Sequence, residues 1–151
     1  DIMENAWNEE KQAFTQSYQS EHLDASVLLM EYYGFIKSKD PKYVKTVKAI
    51  EKELMHNGLL YRYKNEDDFG LPSSSFTVCT FWFINSLYKI GEEVKAKALF
   101  NKLLSYSNHL GLFSEDIDFN SKRLLGNFPQ AYSHLALIDN ALNFNEQLNN
   151  S

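Results

Sequence analysis

The pattern His-x-Gly-Leu followed by an apolar residue occurs twice, as His56-Asn57-Gly58-Leu59-Leu60 and as His109-Leu110-Gly111-Leu112-Phe113, 53 residues apart. Each copy follows a charged amphipathic stretch and precedes a long polar loop, and each loop leads into an almost uniformly apolar stretch. A period near fifty with two helices per unit marks stacked helical hairpins. It predicts an all-α chain in which apolar helices form an inner layer and amphipathic helices an outer one. Every long loop then joins an outer C-terminus to an inner N-terminus, so all of them fall at one end.

The expected elements follow from local signals. Residues 1–12 place Ile2, Met3, Ala6 and Trp7 at helical spacing and read as the end of an amphipathic helix. Residues 23–35 read as a buried helix capped by Asp24 and closed by Gly34. Asp40 and Pro41 stand where a cap and a first helical residue belong, opening an amphipathic helix over 42–55. A second buried helix spans 75–90 and stops at Gly91, a charged one covers 92–109, and a third apolar one runs over 129–144. The Asn-rich tail 145–151 is expected to fray.

With 44% apolar and 15% aromatic residues, 151 residues can bury one sizeable core, so 1–151 reads as a single domain. A net charge of −5 without a basic run offers no footprint for nucleic acid, and no apolar run nears the roughly 18 residues of a membrane span. The lone Cys79, inside an apolar run, is read as core. It gives no sign of an oxidising compartment, and a cytoplasmic address is expected. No Cys/His cluster has metal-ligand spacing and no Gly-rich phosphate loop occurs, so neither metal nor nucleotide nor other cofactor is expected.

The loop ends carry the candidate chemistry. The first loop brings Tyr18, Glu21 and Asp24, the second Arg62, Glu66, Asp67 and Asp68, and the third Glu115, Asp116, Asn127 and Gln130. Residues 111–134 are too long and too acidic for a plain connection, and loops of such length in a compact domain are usually functional or disordered. Each residue also has a structural reading. Asp24 can be a helix cap, Arg62 an ion-pair partner of Glu66 or Asp67, and Glu115 an exposed loop acid or helix-end cap. Arg62 lies between Tyr61 and Tyr63, an arrangement that also suits a sugar hydroxyl. His134, Phe81, Trp82 and Phe83 read as core.

The strings FTQSYQSEHLDASVLLM, GLLYRYKNEDDFGLP, SFTVCTFWFINSLYKIG and GLFSEDIDFNSKRLLGNFPQAYSHLALI resemble the C-terminal part of family 15 glycoside hydrolases, the glucoamylase, glucodextranase and trehalase type, over roughly residues 6–142. The resemblance implies part of an (α/α)6 toroid and hydrolysis of α-glucosidic bonds with inversion. It implies Glu115, in Ser114-Glu115-Asp116, as general base, and it places Arg62, Glu66 and Asp67 near the sugar, with Asp24, Asp116, Asn127 and Gln130 as further substrate-binding candidates. The implied ligand is an α-glucan, a maltooligosaccharide or a trehalose-like sugar. The family's general acid lies in a Trp-Glu segment, whereas Trp7 and Trp82 are followed by Asn8 and Phe83.

Three and a half hairpins are too few to close six. The chain is therefore expected to be the C-terminal portion of a larger catalytic toroid, inactive alone, meeting a missing N-terminal part or self-associating through exposed edges. The alternative is a non-catalytic helical-repeat interaction module.

Overall fold

Helix α4, Thr77–Ile90, is the element the others surround, and the computed structural model describes residues 1–68 and 70–146, save the side chain of Glu146. Its sequence is apolar on every side, and Val78, Cys79, Phe81, Phe83, Ile84 and Leu87 are all fully buried. A helix apolar all round has to be covered all round. Helices α3 (Pro41–Leu54), α5 (Glu93–Leu104) and α6 (Ala131–Glu146) cover it, together with a 3-10 turn at Ala25–Leu28. Phe81 lies edge-on to Phe100 of α5 at 6.3 Å and to Phe113 at 5.5 Å, in the orientation the ring quadrupoles favour. Gly91 ends α4 in the left-handed conformation with φ +97°, and its amide bonds back to Leu87 and Tyr88.

Helix α3 matches its signals. Asp40 accepts the Lys42 amide at 2.8 Å, Pro41 takes the first helical position, and Tyr43, Thr46, Val47, Ile50 and Leu54 form one buried stripe. Tyr43 reaches beyond the helix, its hydroxyl standing 2.9 Å from both the Leu28 carbonyl and Ser86 Oγ. Burial pushes its hydroxyl pKa up to about 12.

Other elements differ from expectation. The first helix, α1, covers only Ile2–Asn5. Asn8 then accepts the Glu10 and Lys11 amides and turns the chain into a hairpin of β1 (Trp7–Asn8) and β2 (Ala13–Phe14), closed by Trp7 edge-on to Phe14 at 5.2 Å. The expected helix over 23–35 is the 3-10 turn plus the single turn α2, Leu29–Tyr32, and Tyr32, Tyr33 and Phe35 are exposed. Helix α5 stops at Leu104 instead of continuing to 109, because Ser105 and Ser107 hydroxyls take the Lys102 and Leu104 carbonyls. Helix α6 runs to Glu146, two residues into the segment expected to fray, and the rest of that segment lies outside the described residues.

The chain is helical in the main but not purely so. Short antiparallel pairs reverse it: β3 (Met55–His56) with β4 (Leu59–Leu60), and a three-stranded sheet in the order β5 (Ser75–Phe76), β6 (Asp116–Ile117), β7 (Leu124–Leu125). The first copy of the repeated motif turns through Asn57 at φ +50° and Gly58 at φ +78°, the two left-handed residues that a tight hairpin requires. The second copy makes no strand. It is held by Asn108, whose side chain accepts the Leu110 and Leu112 amides.

Removing the Tyr43 hydroxyl tests how the layers are tied. Tyr43→Phe removes the hydroxyl that bonds the Leu28 carbonyl and Ser86 and is expected to cost about 0.5–1.5 kcal/mol, read as a lower urea midpoint at unchanged slope.

Candidate functional site

The three loops meet at the first turn of α4. The Ala25 amide donates to the Arg62 carbonyl at 2.8 Å, joining the first loop to the second, and strand β5 pairs with β6, joining the second to the third. Helix α4 has no side-chain cap, since Phe76 stands at the capping position, and its Thr77 amide donates to the Glu115 carbonyl at 2.9 Å.

Glu115 is half-buried at the entrance to β6 and held at four points. Besides the carbonyl contact, its amide donates to the Asn127 carbonyl at 2.9 Å. Its Oε2 accepts both the Asn127 amide, at 3.1 Å, and the Asn127 side-chain Nδ2, at 2.9 Å. Oε1 takes no hydrogen bond among the described residues. The turn that makes this possible is Gly126, at φ +73°, where an added Cβ would stand 2.8 Å from Oε2.

Asp116 does something different with its carboxylate. It accepts the Ser74 hydroxyl in a short hydrogen bond, tying the second loop to the third. Burial raises its pKa, and the neighbouring Glu115 charge raises it further against the lowering effect of Ser74. The remaining acid of the trio, Asp118, organises the β6–β7 turn by accepting the Asn120 and Ser121 amides. Those bonds lower its pKa.

Asp24 serves as both cap and charge partner. Oδ1 accepts the Ser26 amide at 2.7 Å, and Oδ2 lies 3.4 Å from Arg62 Nε, with the Asp24 side chain buried and that of Arg62 half exposed. The acid facing Arg62 is thus Asp24, not Glu66 or Asp67. The guanidinium also lies over the Tyr63 ring at 5.5 Å, and Tyr63 donates its hydroxyl to Asp67 at 2.5 Å, a bond that raises the tyrosine's pKa. Glu66 is exposed. Arg62, Tyr63, Asp67 and Asp24 thus form one connected group, and Glu115, Asn127, Asp116 and Ser74 a second. Asp24, Arg62 and Asp116 all bear on the buried Cys79 thiol, whose pKa is raised first by burial.

Gln130 enters through its backbone. Its amide donates to the Phe113 carbonyl at 2.9 Å, and its carbonyl lies 2.7 Å from His134 Nδ1. His134 Nε2 accepts the Phe113 amide, so the ring is neutral with its proton on Nδ1 and pins α6 to the run leading into Glu115. Ser133 does the same through the Ser114 carbonyl at 3.0 Å. The partnership of Asn127 with Glu115 was not foreseen from the sequence. The hairpin signal was available in the Asx-turn string Asp118-Phe119-Asn120-Ser121 and in Gly126.

The cavity between Leu28, Tyr43, Trp82 and Tyr132 is not lined by Glu115, Arg62 or Asp67, nor are the hollows beside Lys45, Phe14 and Lys89. The described residues include no group of three or more His, Cys, Asp or Glu placed to hold a metal ion, and no helix long and apolar enough to cross a membrane.

The model for "Glycosyl hydrolases family 15" matches residues 1–142. A trehalase of Mycobacterium tuberculosis is 45% identical over 142 residues, covering 92% of this chain and 21% of that protein. A trehalase of Thermoplasma volcanium is 40% identical over 149 residues, covering 98% and 24%. The chain therefore spans about a fifth to a quarter of the length of these relatives. Among solved structures, a glycosidase variant in complex with glucose shares the fold with a TM-score of 0.80 at 14% identity, covering 95% of this chain and 41% of that one.

The raised pKa of Asp116 has a definite sign. A carboxyl whose folded pKa lies above its unfolded one favours folding when protonated, and that contribution is lost as pH rises through the folded value. Asp116→Asn, which still accepts from Ser74, is expected to raise the melting temperature at pH 7, and the gain should vanish below the ordinary carboxyl value of 3.8. Thermal melts at pH 7 and pH 3.5 measure it.

Proposed function

The chain belongs to glycosyl hydrolases family 15, and we propose that it is the base-bearing portion of an inverting α-glucoside hydrolase whose substrate is trehalose. The observation that carries this reading is the Glu115 carboxylate, fixed through backbone and Oε2 while Oε1 is left without a hydrogen bond among the described residues. A general base needs a carboxylate oxygen free to take a proton from water and a mounting that does not turn away. Relatives named trehalase, 31–45% identical to this chain, favour trehalose over the longer α-glucans.

In the proposed step Oε1 removes a proton from a water aimed at the anomeric carbon, while a carboxylic acid on the opposite side protonates the departing glycosidic oxygen. Room for that water sets the two carboxyl groups about 6.5–9.5 Å apart in inverting enzymes. No Trp-Glu segment is present in this chain to supply the acid. The acid accordingly comes from a longer parent enzyme, of which this chain is the C-terminal portion and in which further helical hairpins complete an (α/α)6 toroid. Arg62, with Asp67 and Glu66 on its loop, faces the sugar, and the Asp24 contact holds its guanidinium in place.

A second reading, a helical-repeat interaction module, draws on the exposed apolar residues of α6: Leu135, Ile138 and Leu142, each half or more exposed. The parent enzyme separates the two. Glu115→Gln is expected to lower kcat for trehalose by about 10²–10⁴-fold. The wild type should release α- and β-glucose in equal amounts at the earliest times by proton NMR, since inversion converts one of the two anomeric centres. An undiminished rate in Glu115→Gln would remove Glu115 from the mechanism, and two α-glucose products would remove inversion.

A further inference from the structure

We infer that Gly126 and Asn127 form a carboxylate cradle that selects which oxygen of Glu115 acts as base, making Asn127 a positioning residue for the reaction. The inference rests on the reading of Glu115 as general base. Three independent observations carry it. Both donors of Asn127, the backbone amide and Nδ2, converge on the same oxygen, Oε2, at 3.1 and 2.9 Å. The same residue's carbonyl accepts the Glu115 amide at 2.9 Å, so carboxylate and backbone of Glu115 are referred to one point. Gly126 comes so close that a Cβ there would lie 2.8 Å from Oε2 and 3.2 Å from the Glu115 Cβ, in a left-handed conformation that side chains disfavour.

The chemical consequence is a division of labour within one carboxylate. An oxygen already accepting two N–H donors has its electron density engaged and is the poorer proton acceptor. Oε1, without such donors among the described residues, is the oxygen left for water. Asn127 thus sets the direction of the basic oxygen of Glu115. Asp116, the neighbouring acid, is committed to Ser74 on another loop and is not part of the cradle.

The test uses the full-length parent enzyme with trehalose. Asn127→Ala removes Nδ2 and keeps the backbone amide. It is expected to lower kcat about 10- to 100-fold with KM changed less than about threefold. Asn127→Ser, which restores a hydroxyl donor at a shorter reach, should recover part of the loss. Gly126→Ala should lower kcat, and unchanged kcat in that variant would argue against the close approach. A merely structural Asn127 would lower the melting temperature and the yield of active enzyme while leaving kcat per active site unchanged, and that result overturns the inference. If Asn127→Ala affects KM alone, Asn127 contacts sugar, and the inference again fails. Glu115→Gln run alongside separates the two levels: retained activity there removes the base itself, whereas an inactive Glu115→Gln beside an unaffected Asn127→Ala removes only the cradle.

Discussion

The first turn of α4 imposes the constraint on which the site depends. A helix whose first turn is wholly buried, as Thr77 to Thr80 are, presents its orphan amides to the protein interior, where an unpaired donor costs about 1–3 kcal/mol. Phe76 at the capping position has no side-chain acceptor to offer. The chain answers with backbone from elsewhere: the Glu115 carbonyl takes the Thr77 amide, and β5 and β6 pair just before the helix begins. The same apolar pattern that makes α4 the centre of the fold thereby draws the acidic loop onto its end. Glu115 stands where it does because a helix terminus needs an acceptor there.

Once Glu115 is seated, the rest of its loop is arranged by short-range polar chemistry. Asp118 folds the β6–β7 turn by accepting amides two and three residues ahead, and this brings residues 124–127 back alongside 115–117. From the other side, His134 and Ser133 on α6 hold the Phe113 amide and the Ser114 carbonyl. Tyr61 and Phe119, with ring centroids 4.1 Å apart, pack the second loop against the third, and Lys122 reaches the Asn57 carbonyl at 2.9 Å. The contacts made by His134, Ser133, Tyr61 and Lys122 cross between segments that the sequence separates by 19 residues or more, and with the local turn they make a rigid seat from loop residues.

The distance over which a signal acts decides what could be read in advance. Asp40 with Pro41, the Asp24 cap and the Gly91 stop depend on two to four neighbouring residues, and all three stand as expected. The amphipathic stripe of α3 was legible for the same reason. The first twelve residues misled because helical spacing of Ile2, Met3, Ala6 and Trp7 is also met by a short helix followed by a hairpin, and the Asn8 side chain decides between them. The early end of α5 came from serine hydroxyls competing for helix carbonyls, an effect too weak to outrank periodicity in a sequence. Glu115 was singled out by the Ser114-Glu115-Asp116 motif. Its partner Asn127, twelve residues on, depends on the register of a two-residue strand pair, which no local pattern encodes.

The acids of the third loop show how one stretch of like charge can be differentiated by its surroundings. Asp118 is spent on the Ser121 and Asn120 amides and the Ser121 hydroxyl, and those bonds hold its pKa down. Asp116 is half-buried and bonded to a hydroxyl, and desolvation pushes its pKa up. Glu115 is bonded through one oxygen only. Had the three been equally solvated, their mutual repulsion would have been the main consequence of crowding them into four positions. Placed instead at a turn, a strand and a strand entrance, they meet three different sets of donors. The asymmetry between the two oxygens of Glu115 then follows from strand geometry, because the residue across the hairpin can reach only the oxygen on its own side. A carboxylate held through one oxygen only is therefore a by-product of the pairing that satisfies α4.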